Sequence, residues 1–399
     1  MILDKIFPPD PRVENEAVAL IENGHEVFLF CLKYDKNVEN QEIHKIKVKR
    51  YLSNTLEYKL SALAYTFPFY TKIMEKKIVN FLQKNKIEAI HIHDIRIAEA
   101  AFNANKRLKL PVVLDLHDNM PEVMKLYPHL KKFPGKQLIS PKKWKAKEEY
   151  FIQKATKVIT VSQEFIEEVE NRMKINKNAL VLVPNTVRKS FYKDAVIEQS
   201  ILKKYEKHFV VLYLGDTGLR RGLPTVIAAI QELKETIKNI KLVIVGSNTT
   251  DPLLKQQVKN LNLDTYVDFE GWQNVALFPS YILASSVCIS PLNRNIQHDV
   301  AYANKIFQYM SFAKPLLVSD AVAQKNLVLK IKSGLVHREK NTTDFAEKLL
   351  QLYENPELGK ELGANGKAFI ENEFCWEKVS QNLVHIYTEL ESIKKAINT

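Results

Sequence analysis

Two rhythms alternate along this chain. Apolar, β-rich runs at Ile2 to Phe7, Glu26 to Leu32, Ile87 to His93, Val112 to His117, Lys157 to Ser162 and Leu180 to Val183 read as strands. Between several of them, stretches such as Val13 to Glu22 and Ile73 to Lys84 carry the helical period. Strands alternating with helices argue for a parallel, doubly wound sheet. The same rhythm restarts at Phe209 to Gly215 and continues through Leu242 to Gly246, Val267 to Phe269, Val287 to Leu292 and Leu316 to Ser319. Between the two series, Arg188 to His208 is polar and shows no strand run, so the domain boundary falls just after Pro184-Asn185-Thr186-Val187. The expectation is two tandem α/β domains, 1–187 and 188–375, facing each other across a cleft. Such a cleft is a default ligand site.

The run from Val287 to Ser319 shows the pattern most clearly. A buried strand is followed by a polar loop and then by a short helix from about Ala303, with Ile306, Phe307 and Met310 facing inward. Lys314-Pro315 stops that helix and Leu316 to Ser319 resumes as a strand. Lys305 and Gln308 lie one helical turn apart on one face. A cation and an amide placed together suit a phosphate and a sugar hydroxyl; the plainer reading is a packing helix with a solvated face.

Composition narrows the field only in part. A chain of 399 residues is long for one core and suits two domains. Hydrophobic content of 46% is that of a globular protein. No apolar run is long enough to span a bilayer, and no signal peptide opens the sequence. Cys31, Cys288 and Cys375 are odd in number, far apart and set in apolar contexts, which points to buried thiols in a reducing cytoplasm. The net charge of +12 implies an anionic partner. No nucleic-acid recognition motif or stacking platform accompanies it.

Part of the positive charge is concentrated. Met124 to Lys147 holds eight lysines and no acid, interleaved with Tyr127, Phe133 and Trp144. Basic residues with aromatics suit an anionic membrane surface; a solvated loop is the alternative. Leu60 to Tyr70 is apolar and aromatic, and reads either as a second membrane or acceptor-lipid contact or as a buried helix.

Candidate chemistry gathers at strand ends. Pro8 to Val13 follows the first strand without the Gly-x-Gly-x-x-Gly that brings a backbone against a pyrophosphate. Arg12 there is either a solvated helix-start residue or a substrate contact. His91-Ile-His93-Asp94 ends one strand, and Asp115-Leu-His117-Asp118 with Glu122 ends the next. His and Asp are good metal ligands, but no later His-rich cluster completes a set, so no metal is expected. Alternation sends His91 and His93 to the same side of their strand. His117 with Asp118 suits a polar, substrate-orienting pair. In the second domain, Gly215 and Gly218 permit a tight turn into a helix near Leu223, with Arg220 and Arg221 at its mouth. A helix start with two guanidiniums is a diphosphate site in principle. Gly246 ends the next strand similarly. Gly271 and Trp272 offer backbone and an aromatic plane for a nucleobase, unless Trp272 is core.

Taken together these stretches resemble the family-4 (group 1) glycosyltransferases, retaining enzymes of GT-B fold that use nucleotide-sugar donors. The carrying residues are Asp10-Pro-Arg-Val13 with Gly24-His-Glu-Val27, Asp115 to Asp118 with Glu122, Val158 to Ser162, Pro184-Asn185, Gly215 with Arg221-Gly222, Val245-Gly246, Phe269 with Gly271-Trp272, and Asn304 to Met310 with Lys314-Pro315. They occur in family order over nearly the whole chain. The resemblance implies no metal or other cofactor, the donor mainly on the second domain, and the acceptor on the first. It also implies a C-terminal helix, within 376–399, packed on the first domain. By position, Arg221 with Arg220 matches the site that neutralises the donor diphosphate, His117 the histidine near the reacting sugar carbon, and Gln308 the glutamate that usually holds the donor ribose. Gly215, Gly218, Gly246, Gly271, Trp272, Asn304 and Lys305 fall on the donor side, and Arg12, Asp118 and Glu122 on the acceptor side. The family's usual earlier glutamate is Val300 here, flanked by Asp299.

The expected activity is transfer from a UDP- or GDP-sugar to a lipid-linked or saccharide acceptor in surface polysaccharide synthesis, by a cytoplasmic protein peripheral on the membrane. A catalytically silent scaffold and a nucleotide-sugar epimerase of similar fold are the alternatives.

Overall fold

The computed structural model describes residues 1–398, apart from the side chains of Pro128, Lys131 and residues 393–398. Thr399, the last residue of the expected C-terminal helix, lies outside the described residues. The chain divides into two compact units, Met1–Pro184 with the segment from Val379 onward, and Asn185–Lys378. Each junction falls three residues from the one expected. The helix Trp376–Asn398 begins in the second unit and from Val379 belongs to the first.

The first unit contains β1 (Ile2–Ile6), β2 (Phe28–Lys33), β3 (Gln41–Ile43), β4 (Ile46–Leu52), β5 (Ile90–His93), β6 (Val112–Leu116), β7 (Lys157–Thr160) and β8 (Leu180–Leu182). They form one sheet in the order β3-β4-β2-β1-β5-β6-β7-β8. All neighbours are parallel except β3, which runs against β4. Ile2 is in register with Ile92, Ile92 with Leu114, and Leu114 with Val158, so one apolar row crosses the sheet. Every residue of β5 and β6 is buried, as a sheet covered on both faces requires. Strands β3 and β4 were absent from the expectation. In β4 the buried set Ile46, Val48 and Arg50 alternates with Lys47, Lys49 and Tyr51. The half-covered strand therefore reads as charged. Arg50 is held inside by the carbonyl oxygens of Phe7 and Glu39.

The second unit carries β9 (Phe209–Leu214), β10 (Ile240–Val245), β11 (Val267–Gly271), β12 (Val287–Ser290), β13 (Leu316–Ser319) and β14 (Gly334–His337), ordered β11-β10-β9-β12-β13-β14 and parallel throughout. Alternation divides its apolar side chains between two cores. Val211 and Tyr213 of β9 enter one, and Val210, Leu212 and Leu214 enter the other. The short helix Lys305–Ser311 joins the second core through Ile306, Phe307, Tyr309 and Met310.

Strand order reverses in each unit, between β1 and β5 in the first and between β9 and β12 in the second. The loops beyond those carboxyl ends are where an open α/β sheet holds ligands. At the second of these points backbone approach is very close. Gly222 has φ +80, and a Cβ there would lie 1.6 Å from the Pro291 carbonyl oxygen. Gly246 has φ +140, and its Cβ would meet the Gly215 oxygen at 1.9 Å. Gly218 does not use the freedom expected of it, since its φ is −52. All three cysteines are free and buried, and burial pushes the Cys31 thiol up to about 11. Among the described residues, no helix is long and apolar enough to cross a membrane.

Candidate functional site

At the reversal point of the first sheet, the helix Pro11–Glu22 starts directly behind β1, capped by the Asp10 side chain with Pro11 in its first turn. Its register turns Arg12 and Glu16, one turn apart, inward. Arg12 grips Asp115, at the end of β6, with Nε at 2.8 Å and Nη2 at 2.5 Å. Its Nη2 also lies 2.9 Å from Glu16, and its Nη1 donates to the Val183 carbonyl at 3.0 Å. Arg12 is thus neither a solvated helix-start residue nor open to an acceptor; it is 6% exposed and fully engaged.

His91 and His93 do project to one side of β5, with rings stacked at 4.5 Å. His91 faces Glu16 at 3.2 Å, and its Nδ1 pairs with the Tyr387 hydroxyl at 2.9 Å. His117 Nε2 is 2.7 Å from Asp115, while its Nδ1 is 3.7 Å from Asp94. Asp94 sits at φ +65 and ψ 159, a conformation that costs a non-glycine residue about 1–3 kcal/mol. Its carboxylate accepts from the His117 backbone N–H at 3.3 Å.

Charge in this cluster is sorted by position. Burial works against a proton on His117, but the carboxylates of Asp94 and Asp115 overcome it and push the ring up to about 9. Burial, then the neighbouring His91, holds His93 well below the usual histidine range. Asp115, despite burial, is held well below the usual carboxylate range by Arg12 and His117. Glu16, His91, His93 and Asp115 place ligand atoms within 4.8 Å of one another, so the folded chain does assemble a metal-like donor set, with Glu16 as the member not foreseen. The cation of this set is the Arg12 guanidinium. A divalent ion would have to displace it from both carboxylates.

In the second unit, β9 ends at Leu214, whose N–H donates to the Tyr309 hydroxyl at 2.8 Å. Tyr309 stands one turn after Lys305, so this bond seats the helix and brings Lys305 Nζ 3.4 Å from the Tyr213 ring centroid. Gly215 donates to the Val245 carbonyl at 2.8 Å, and Gly246 to the Gly271 carbonyl at 2.7 Å, which stitches three strand ends together. Arg220 and Arg221 lie in a short 3-10 turn before the helix Leu223–Leu233. Asp216 is the residue the sequence reading left without a role. It takes Arg221 Nε at 3.1 Å, Arg220 Nη2 at 3.4 Å, the Gly218 N–H at 3.1 Å and Asn248 Nδ2 at 2.6 Å. Burial would raise its carboxyl, but the Gly218 N–H and Arg221 hold it low. Lys305 is held well below the ordinary lysine range, first by burial and then by Arg221, against the pull of Asp216. Two guanidiniums and one amine therefore stand against a single acid.

Comparison with known proteins agrees. A model described as glycosyl transferases group 1 matches residues 196–369, and one described as glycosyltransferase family 4 matches residues 12–191. The chain belongs to the family-4, group 1 glycosyltransferases. It is 20% identical over 381 residues to N-acetyl-alpha-D-glucosaminyl L-malate synthase of Bacillus anthracis, over 93% of this chain and 91% of that one. It is 22% identical to the capsular polysaccharide biosynthesis glycosyltransferase CapM of Staphylococcus aureus, over 58% and 61%. Its fold is GT-B. Sucrose-phosphate synthase from Thermosynechococcus elongatus superimposes with TM-score 0.78 at 17% identity, covering 96% of this chain and 93% of that one. Anabaena HepE in complex with UDP gives 0.74 at 16%, covering 97% and 99%.

The remaining expected positions of this glycosyltransferase are less gathered. Trp272 is 75% exposed, a free aromatic face and not core. Asn304 is exposed and Gln308 partly so, on the same short helix as Lys305. Val300 is buried, and neighbouring Asp299 is committed to Arg294 and to the Val322 N–H at 3.1 Å, so Asp299 does not stand in for the missing glutamate. On the first unit Asp118 is exposed, and Glu122 is bound by Lys125 at 2.7 Å.

Two outcomes follow from the first cluster. Arg12→Met removes the guanidinium that Asp115 and Glu16 share, and urea unfolding should show a loss of about 3–5 kcal/mol that Arg12→Lys fails to restore. His117 has a folded-state pKa above its ordinary 6.5, so its contribution is complete below that pH and is lost as pH rises through about 9. Unfolding titrations across this window should show stability falling with pH, with a shallower fall in His117→Asn.

Proposed function

We propose that this glycosyltransferase moves a sugar, with retention of anomeric configuration, from a UDP- or GDP-sugar to a lipid-linked or saccharide acceptor in surface polysaccharide synthesis. The observation that carries the reading is the trio Arg220, Arg221 and Lys305 around Asp216 at the strand-order reversal of the second sheet. Preorganised cations where charge develops are usually the largest catalytic contribution. In this reading the guanidiniums and Lys305 receive the diphosphate as it leaves, without a metal ion, and Trp272 stacks on the base. Gln308 holds the ribose through its amide, at about 0.5–1.5 kcal/mol per hydrogen bond. His117, carrying its second proton at neutral pH, contacts the sugar near the reacting carbon. The UDP in the HepE complex and the polysaccharide role named for CapM support the donor class and the setting.

The absence of a carboxylate at Val300 and Gln308 favours one rival, a silent GT-B binding protein. Thermal-shift screening of nucleotide sugars, followed by product analysis, separates the two. The enzyme reading expects a melting rise with one donor class, sugar transfer, and loss of both binding and transfer in Arg221→Ala. A donor that binds without any turnover would support the rival.

We also propose that the first unit meets an anionic membrane surface, and the structure refines which residues are available for it. Trp144 is only 2% exposed, and Lys125, Lys145 and Lys147 are paired with Glu122, Glu168 and Glu99. Lys131 has its side chain outside the described residues. Phe133 is 82% exposed, and Phe67 and Phe69 are exposed on the other stretch flagged by the sequence. The two stretches touch, since the Thr66 hydroxyl donates to the Leu138 carbonyl at 2.6 Å. Liposome flotation should show binding that rises with anionic lipid and falls in Lys132→Glu/Lys136→Glu; equal flotation with neutral vesicles would refute the electrostatic part.

A further inference from the structure

One cavity of the first unit lies apart from the histidine cluster, on the outer helical layer. It measures about 670 Å³, within the range of small-ligand sites, and opens between the helices Ala98–Ala104 and Pro141–Lys154. The second helix builds one wall through its spacing. Lys143, Lys147, Tyr150, Phe151 and Lys154 recur at three- and four-residue intervals and share one face. Phe151 stacks on Phe102 at 5.1 Å, and Tyr65 closes the apolar floor 6.2 Å from Phe151.

Around that floor the charge is one-sided. Lys147 is 5.7 Å from the Tyr65 ring centre and paired with Glu99, the one acid of the lining. Lys154 is 5.8 Å from the centre of the Tyr150 ring. Lys143 and Lys106 are exposed at the rim and form no ion pair among the described residues. Aromatic floor and lysine rim select different parts of one molecule. A bare phosphate makes no use of the rings, and a neutral apolar ligand makes no use of the ammonium groups.

We propose that this cavity binds the phosphate-bearing head and the adjoining chain of an anionic membrane lipid. The lysine rim holds the phosphate, and the chain lies over Phe102, Phe151 and Tyr65. The proposal rests on the membrane reading only for the source of the lipid. The cavity itself can be tried without a bilayer.

The experiment is calorimetric titration of the full chain with short-chain phosphatidylglycerol kept below its aggregation concentration, beside short-chain phosphatidylcholine and inorganic phosphate. The expected result is phosphatidylglycerol bound at least about ten-fold more tightly than either, and weakened at least about ten-fold in Lys106→Glu/Lys143→Glu. Both lysines are exposed rim residues, and an unchanged melting temperature verifies that the variant folds. Equal binding of the two lipids, equal binding of phosphate alone, or an unchanged double variant would overturn the proposal. Flotation with anionic liposomes in the absence of monomer binding would overturn the cavity and leave the membrane reading standing. Monomer binding without flotation would do the reverse.

Discussion

A guanidinium sealed among carboxylates governs the carboxyl edge of the first sheet. Arg12 arrives from the helix behind β1, Asp115 from the end of β6, and the Val183 carbonyl from beyond β8. One cation therefore ties a helix start, a strand end and the segment after β8 to a single point. A buried charge that loses its partner costs several kcal/mol, so these segments cannot shift independently. His117 inherits that rigidity through Asp115, and its charge through Asp115 and Asp94.

The second unit solves a related problem with opposite signs. Its centre is a carboxylate, Asp216, ringed by Arg220, Arg221, Asn248 and the Gly218 N–H. The first cluster is almost wholly buried. The second keeps Arg220 and Arg221 partly exposed, which lets a solvated anion reach them.

The interior of both sheets was legible because strands covered on two faces must be apolar runs. Strand β4 escaped because its outward lysines and buried Arg50 mask a period-two pattern, and β14, Gly334 to His337, is too short and mixed to stand out. His91 and His93 were placed together by alternation alone. Glu16 was not, since nothing local relates a helix turn after β1 to a strand end 99 positions later. Asp216 lay in a run singled out for its arginines, yet an acid in a glycine loop signals nothing until its partners are seen. Trp144 looked interfacial among lysines, but its helix turns it against Tyr65 at 4.8 Å. The acids that pair with Lys145 and Lys147, Glu168 and Glu99, come from distant segments that composition counts cannot match.

The Asp216 arrangement has a consequence for turnover. A site that carries its own counter-ion is never bare: under the proposed function, an incoming diphosphate would share two guanidiniums with a carboxylate that occupies one nitrogen of each and remains tethered beside them. That carboxylate would compete for the arginines as the occupant's charge or contacts diminish. Under that reading the loop would carry a means of releasing spent nucleotide, supplied by the same residue that holds the arginines ready.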